Sequence, residues 1–108
     1  MTSAEKCRII GYPKFDILLG RKPERFFDND RPTFLYNPHF DPYLSSWYKM
    51  GERVLEQFAA QDRFNLIFAP HVMMHRRKYH LSVEHFRIGA VSDLAEKFKG
   101  HANIHIDT

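Results

Sequence analysis

Three short β-prone runs, Thr33-Phe34-Leu35-Tyr36, Phe64-Asn65-Leu66-Ile67-Phe68-Ala69 and Asn103-Ile104-His105-Ile106, are separated by stretches far too long for hairpins. That spacing is the strongest constraint on the fold. Antiparallel neighbours can be joined by two residues, whereas parallel strands need a crossover of a dozen or more, usually helical. The stretches between the runs carry such helices. Ser45 or Ser46 caps a segment whose apolar residues Trp47, Met50, Val54, Leu55 and Phe58 recur at intervals of three and four, and Ser92 opens another through Leu94, Ala95 and Phe98 that stops at Gly100.

Strand, helix, strand, helix, strand in this order predicts right-handed βαβ units in a parallel sheet, the front half of a doubly wound α/β domain. Thr33 to Tyr36, closed by Asn37-Pro38, reads as a strand covered on both faces. Before it, Arg8-Ile9-Ile10 closes a short strand, Gly11 to Gly20 is a connector with a helical turn, and Arg21 to Arg31 is a surface loop. Residues 1–31 are thus connector, and residues 32–108 the sheet-forming part.

Ligands of open parallel sheets sit at the carboxyl ends of the strands, where loops and helix amino termini converge. The residues expected there are Asn37, Pro38, His39, Phe40 and Asp41 after the first run, Ser45 and Ser46 at the following helix start, and Pro70 and His71 after the second. A histidine directly after a buried strand is placed to donate to a phosphate oxygen or to a leaving group as its charge develops. His71 is therefore the leading candidate, with His39 in a similar place on a longer loop. Ser45 and Ser46 are caps first, and phosphate contacts in addition.

His71 and His75 have the spacing of a metal-binding pair but lack the glutamate and third ligand of a zinc site, so no metal is assigned. Arg76-Arg77-Lys78, His80 and His85 read as solvated surface, and nucleic acid is not an expected partner. Cys7 has no positioned base beside it and no second cysteine to pair with. With no apolar leader and no run near the ~20 residues of a membrane span, the expected location is the cytoplasm. A net charge of +3 permits phosphate-bearing partners or contact with an anionic membrane face.

Three segments, taken in order, resemble the bacterial CDP-glycerol glycerophosphotransferase-like family, whose catalytic region has the two-domain GT-B architecture. Gly11-Tyr12-Pro13-Lys14-Phe15-Asp16 resembles the Gly-x-Pro-Arg/Lys-x-Asp segment that ends the family's first domain. Arg31-Pro32-Thr33-Phe34-Leu35-Tyr36-Asn37-Pro38 resembles the opening strand of its second, Rossmann-like domain, and Phe68-Ala69-Pro70-His71 the strand that ends in its catalytic-region histidine. Val72 stands where the family usually has proline, and Ala69 where it often has lysine, which points to a subfamily with another donor.

The resemblance implies a GT-B C-terminal domain fragment from an enzyme that passes glycerol phosphate or a sugar from a nucleotide-diphosphate donor, such as CDP-glycerol, to a polymer or glycan at the inner membrane face. It makes His71 a donor-phosphate or catalytic histidine, the catalytic residue of the site; His39, Ser45 and Ser46, from their place at the strand end and helix start, are the donor-phosphate candidates, and no cofactor is expected. Other readings are a UDP-N-acetylglucosamine 2-epimerase-like or related GT-B enzyme and a non-catalytic α/β binding module, for which Asp41 is the only acidic residue in place.

The family's Asp-x-Ser-Ser motif would lie beyond Thr108, as would the strands that flank the first run, so self-association through an open sheet edge is expected. The isolated chain should also be inactive. Nucleotide release from a CDP- or UDP-linked donor, followed by phosphorus NMR, checks this, and turnover by the pure chain would refute it.

Overall fold

The computed structural model describes residues 4–75 and 91–107. Strands β1 (Thr33–Tyr36), β2 (Asn65–Phe68) and β3 (Ile104–Ile106) form a parallel sheet in that spatial order. Helix α1 (Trp47–Ala59) lies between β1 and β2 in the chain, and α2 (Val91–Phe98) precedes β3. The register pairs Thr33 with Asn65 through Tyr36 with Phe68, and Leu66 with Ile104 through Phe68 with Ile106.

Alternation along the strands places Phe34, Tyr36, Leu66, Phe68, Ile104 and Ile106 on one face. Both helices pack there. Trp47, Tyr48 and Leu55 of α1 and Val91, Leu94 and Phe98 of α2 close over Leu66, Phe68 and Ile104, with Met74 filling the same core. Burial of each large apolar side chain contributes about 1.5–3 kcal/mol. The ring of Trp47 is fully buried and stacked on Phe68, with centroids 5.0 Å apart and planes 17° apart. Its Nε1–H has no partner among the described residues.

The buried stripe of α1 runs through Trp47, Tyr48, Gly51 and Leu55, so Met50, expected in the core, falls on its margin and is 50% exposed. The Ser45 hydroxyl accepts the Trp47 N–H at 3.1 Å and starts the helix. Gly100, at φ 95°, takes the left-handed conformation after α2, as expected for a helix stop. α2 begins at Val91, one residue before the position expected to cap it.

The turn from α1 into β2 is clamped by two amides. Gln61 accepts the Arg63 and Phe64 N–H groups and donates to the Phe58 and Phe64 carbonyls. Buried Asn103 donates to the Phe58, Gln61 and Phe64 carbonyls and so fastens this turn to the start of β3.

β1 departs from its expected double cover. Thr33, Phe34 and Leu35 are exposed and only Tyr36 is half-buried, because β1 is an edge strand and no helix among the described residues packs on the second face. That face is instead met by the loop before β1. Asn29 and the fully buried Asn65 exchange amide hydrogen bonds of 2.8 and 3.3 Å, and Phe26 lies 4.3 Å from the His105 ring. The stretch read as surface loop is thus anchored to the sheet.

Arg8 to Ile10, expected as a strand, pairs with nothing among the described residues, and Ile9 is fully exposed. The helical turn of the connector is a 3₁₀ segment over Pro13–Leu18 with no buried residue. No described helix is long and apolar enough to cross a membrane.

Gly51 is required by packing. A Cβ there would sit 2.2 Å from Cε3 of Trp47. In an exposed helix, Gly→Ala stabilises by about 1 kcal/mol. Gly51→Ala should instead destabilise by about 1–3 kcal/mol, the usual cost of overpacking. Urea denaturation gives the sign directly, and a raised midpoint would refute this placement of the Trp47 ring.

Candidate functional site

β1 and β2 end in the same way. Tyr36-Asn37-Pro38-His39 follows the last residues of β1, and Phe68-Ala69-Pro70-His71 those of β2. Tyr36 pairs with Phe68 in the sheet, so the two Pro-His corners leave it at the same level. Proline lacks the N–H a continuing strand requires, which stops both ladders there. Pro38 and Pro70 are buried. The Asn37 amide donates to the Ala69 carbonyl and joins the two exits.

Each histidine then closes the same local ring. Nδ1 of His39 accepts the Asp41 N–H at 3.0 Å, and Nδ1 of His71 accepts the Met73 N–H at 3.1 Å. With Nδ1 occupied as an acceptor, the neutral imidazole carries its hydrogen on Nε2. Neither Nε2 has a hydrogen-bond partner among the described residues, so both corners present an N–H donor. The rings stand 6.2 Å apart, with Phe40 packed at 4.4 Å from His39 and 4.8 Å from His71. His71 is half-buried and His39 exposed.

The sheet and the start of α1 hold this cluster. The Tyr48 hydroxyl donates to the Phe40 carbonyl at 3.1 Å, tying the corner after β1 to the first turn of α1. The hydroxyls of Tyr36 and Ser46 share a hydrogen bond of 2.9 Å. Asp41 accepts the Tyr43 N–H through its carboxylate and the Leu44 and Ser45 N–H groups through its carbonyl. Its carboxylate shapes the loop, as a residue of a compact turn does.

Of the residues predicted from sequence, His39 and His71 come together. Ser45 is buried with its oxygen on the Trp47 N–H, and Ser46 is bound to Tyr36. Phe40 is placed at the strand end by the sequence but given no role there, and Tyr36 and Tyr48 are not among the expected site residues, although the recurrence of aromatic-x-Pro-His at both strand ends is readable. His75 lies in a 3₁₀ segment over Val72–His75, and the side chain of His75 together with Arg76, Arg77, Lys78, His80 and His85 lies outside the described residues. Among the described residues no three His, Cys, Asp or Glu side chains are grouped to hold a metal ion.

Chemically, the arrangement offers two uncharged N–H donors flanking an aromatic ring at the carboxyl end of a parallel sheet. Such donors suit the oxygens of an anion, phosphate or carboxylate. Compared with known proteins, the sequence matches no family model and no curated protein, and the fold matches no solved structure.

Burial raises the Tyr36 pKa above its ordinary value, opposed by the Ser46 hydrogen bond, and burial together with the Asp41 charge raises that of Tyr48. In the unfolded chain both titrate near pH ~10. The folded chain therefore binds more protons than the unfolded one above that value. The stability these groups contribute is fully present below pH ~10 and is lost as pH rises through the folded pKa values. Tyr36→Phe should cost about 1 kcal/mol at neutral pH, for its hydrogen bond, and flatten the alkaline fall. Chemical denaturation from pH 8 upward tests this, and an unchanged alkaline slope in the variant would refute it.

Proposed function

We propose that this chain is the front half of the nucleotide-binding domain of a transferase, with the two Pro-His corners as the seat of the donor's phosphates. The enzyme moves glycerol phosphate or a sugar from a nucleotide-diphosphate donor such as CDP-glycerol to a cell-surface polymer or glycan. It works in the cytoplasm at the inner membrane face. The observation that carries this reading is the pair of Nε2–H donors, on His39 and His71, at in-register ends of adjacent parallel strands. The order of the Gly-x-Pro-Lys-x-Asp, opening-strand and Pro-His segments agrees with it.

In such a transfer the bond between the nucleotide and the transferred group breaks, and its electron pair goes to a phosphate oxygen of the leaving nucleotide. A donor aimed at that oxygen stabilises the charge as it develops and needs no reorganisation at that moment. His71, half-buried and held by Met73, takes this role. His39 binds a second phosphate oxygen. Ser45 and Ser46, engaged with Trp47 and Tyr36, position the loop that carries His39.

Titration with CDP-glycerol, and separately with inorganic pyrophosphate, should move the ring ¹⁵N resonances of His39 and His71. A hydrogen bond to a charged group contributes about 1.5–3 kcal/mol, so His71→Ala should weaken binding about tenfold or more with little change in melting temperature. His71→Gln, which keeps a donor, should recover part of the loss. Equal affinity after replacement of both histidines would refute the site, and a lowered melting temperature with unchanged affinity would make His71 structural.

A further inference from the structure

β1 and β2 both stop at proline, and at β1 the stop removes one particular hydrogen bond. In a parallel pair every second residue faces its neighbour, donating to the residue before its partner and accepting from the residue after it. The Pro32 and Tyr36 carbonyls accept the Asn65 and Ala69 N–H groups, both at 2.9 Å, so positions 32, 34 and 36 face β2. Position 38 comes next, opposite position 70 in the same register. A residue there would give its N–H to the Ala69 carbonyl, but Pro38 has none to give. That carbonyl accepts the side-chain amide of Asn37 instead.

Asn37 therefore supplies the rung that its neighbour lacks, and the place of that rung matters. The Ala69 carbonyl belongs to the peptide bond that enters Pro70-His71. On the other side of β2 the Asp107 N–H reaches the Phe68 carbonyl at 2.9 Å, and the next donor in line is Pro70, again without an N–H. Ala69 brings no polar side chain to replace it. The second corner is thus held from β1, where Tyr36 accepts the Ala69 N–H and Asn37 donates to the Ala69 carbonyl. Asn37 also stands two residues before His39, so one amide ties both corners together.

We infer that Asn37 is the positioning residue of the histidine pair. Its amide sets the separation of the corners, and so of the His39 and His71 rings 6.2 Å apart, at which both Nε2–H donors engage one anion. This rests on the corners being an anion site, as proposed above. The Asn37 side chain is exposed, so water can replace its hydrogen bond at little cost to stability. Water does not fix a distance. The bond contributes geometry, and two donors act together on one ligand only while their separation is held.

In the ligand-free full chain, nuclear Overhauser contacts among the His39, Phe40 and His71 rings report that separation, with the contact of Trp47 and Phe68 as reference. Asn37→Ala should lose the contacts between His71 and the other two rings while keeping the reference contact and the melting temperature. Calorimetric titration with inorganic pyrophosphate should show affinity reduced about tenfold, the share of one hydrogen bond to a charged group. His39→Ala should cost less than about twofold more in that background, because the two changes disable the same donor. Pro38→Ala restores a main-chain N–H at the rung and should return both ring contacts and affinity to the Asn37→Ala chain. Pro38→Ala alone, checked by the reference contact, controls for the buried ring it removes. Unchanged ring contacts in Asn37→Ala, a loss that Pro38→Ala does not repair, or full additivity with His39→Ala overturns the inference. So does loss of the reference contact in Asn37→Ala, which would make Asn37 a general support of the fold. If the unaltered chain binds no pyrophosphate while the ring contacts still follow Asn37 and Pro38, the anion reading fails and the positioning role stands.

Discussion

The stacking of Trp47 on Phe68 is the contact on which the rest of the fold depends. It joins the first residue of α1 to the last residue of β2, and so holds the start of the helix over the carboxyl end of the sheet. Tyr36, at the same level of β1, stacks on Phe68 at 5.6 Å and reaches Ser46 with its hydroxyl. A smaller side chain at position 47 would leave a cavity where helix, sheet and both strand exits meet, and such cavities in cores cost several kcal/mol.

From that anchor the candidate site follows almost by translation. Parallel pairing sets β1 and β2 side by side at the same level, and each continues into aromatic-x-Pro-His. Both imidazoles then bind a backbone N–H two residues on, which fixes ring orientation and tautomer without help from a carboxylate. A binding surface built this way draws its precision from the sheet and its corners, so the loops between need supply little.

Much of this was legible in the sequence, for identifiable reasons. β1 was read to its residue, and β2, β3 and α1 to within a residue or two at their ends, because their hydrophobic periods and their Pro, Ser and Gly boundaries agree. His39 and His71 followed from strand topology. What escaped was tertiary. Met50 has the right spacing for a core residue, but the orientation of α1 is set by Trp47 and Gly51, which periodicity does not reveal. The exposure of β1 depends on sheet order and on which face receives the helices. Arg8 to Ile10 has strand propensity but no neighbour to pair with among the described residues, and propensity alone does not make a strand. Asn65, polar within an apolar run, was the one available hint that the Asn29 loop closes on the sheet, since a buried amide needs a partner.

The close approach of Gly51 to Trp47 also bears on how this sequence can diverge. The two positions form a single unit of inheritance. A lineage that keeps tryptophan must keep glycine one turn later and carry its poor helix propensity, whereas one that trades the ring for a smaller side chain frees position 51 for alanine and recovers that propensity. Neither change is tolerated well before the other, so intermediates with only one of them should be rare.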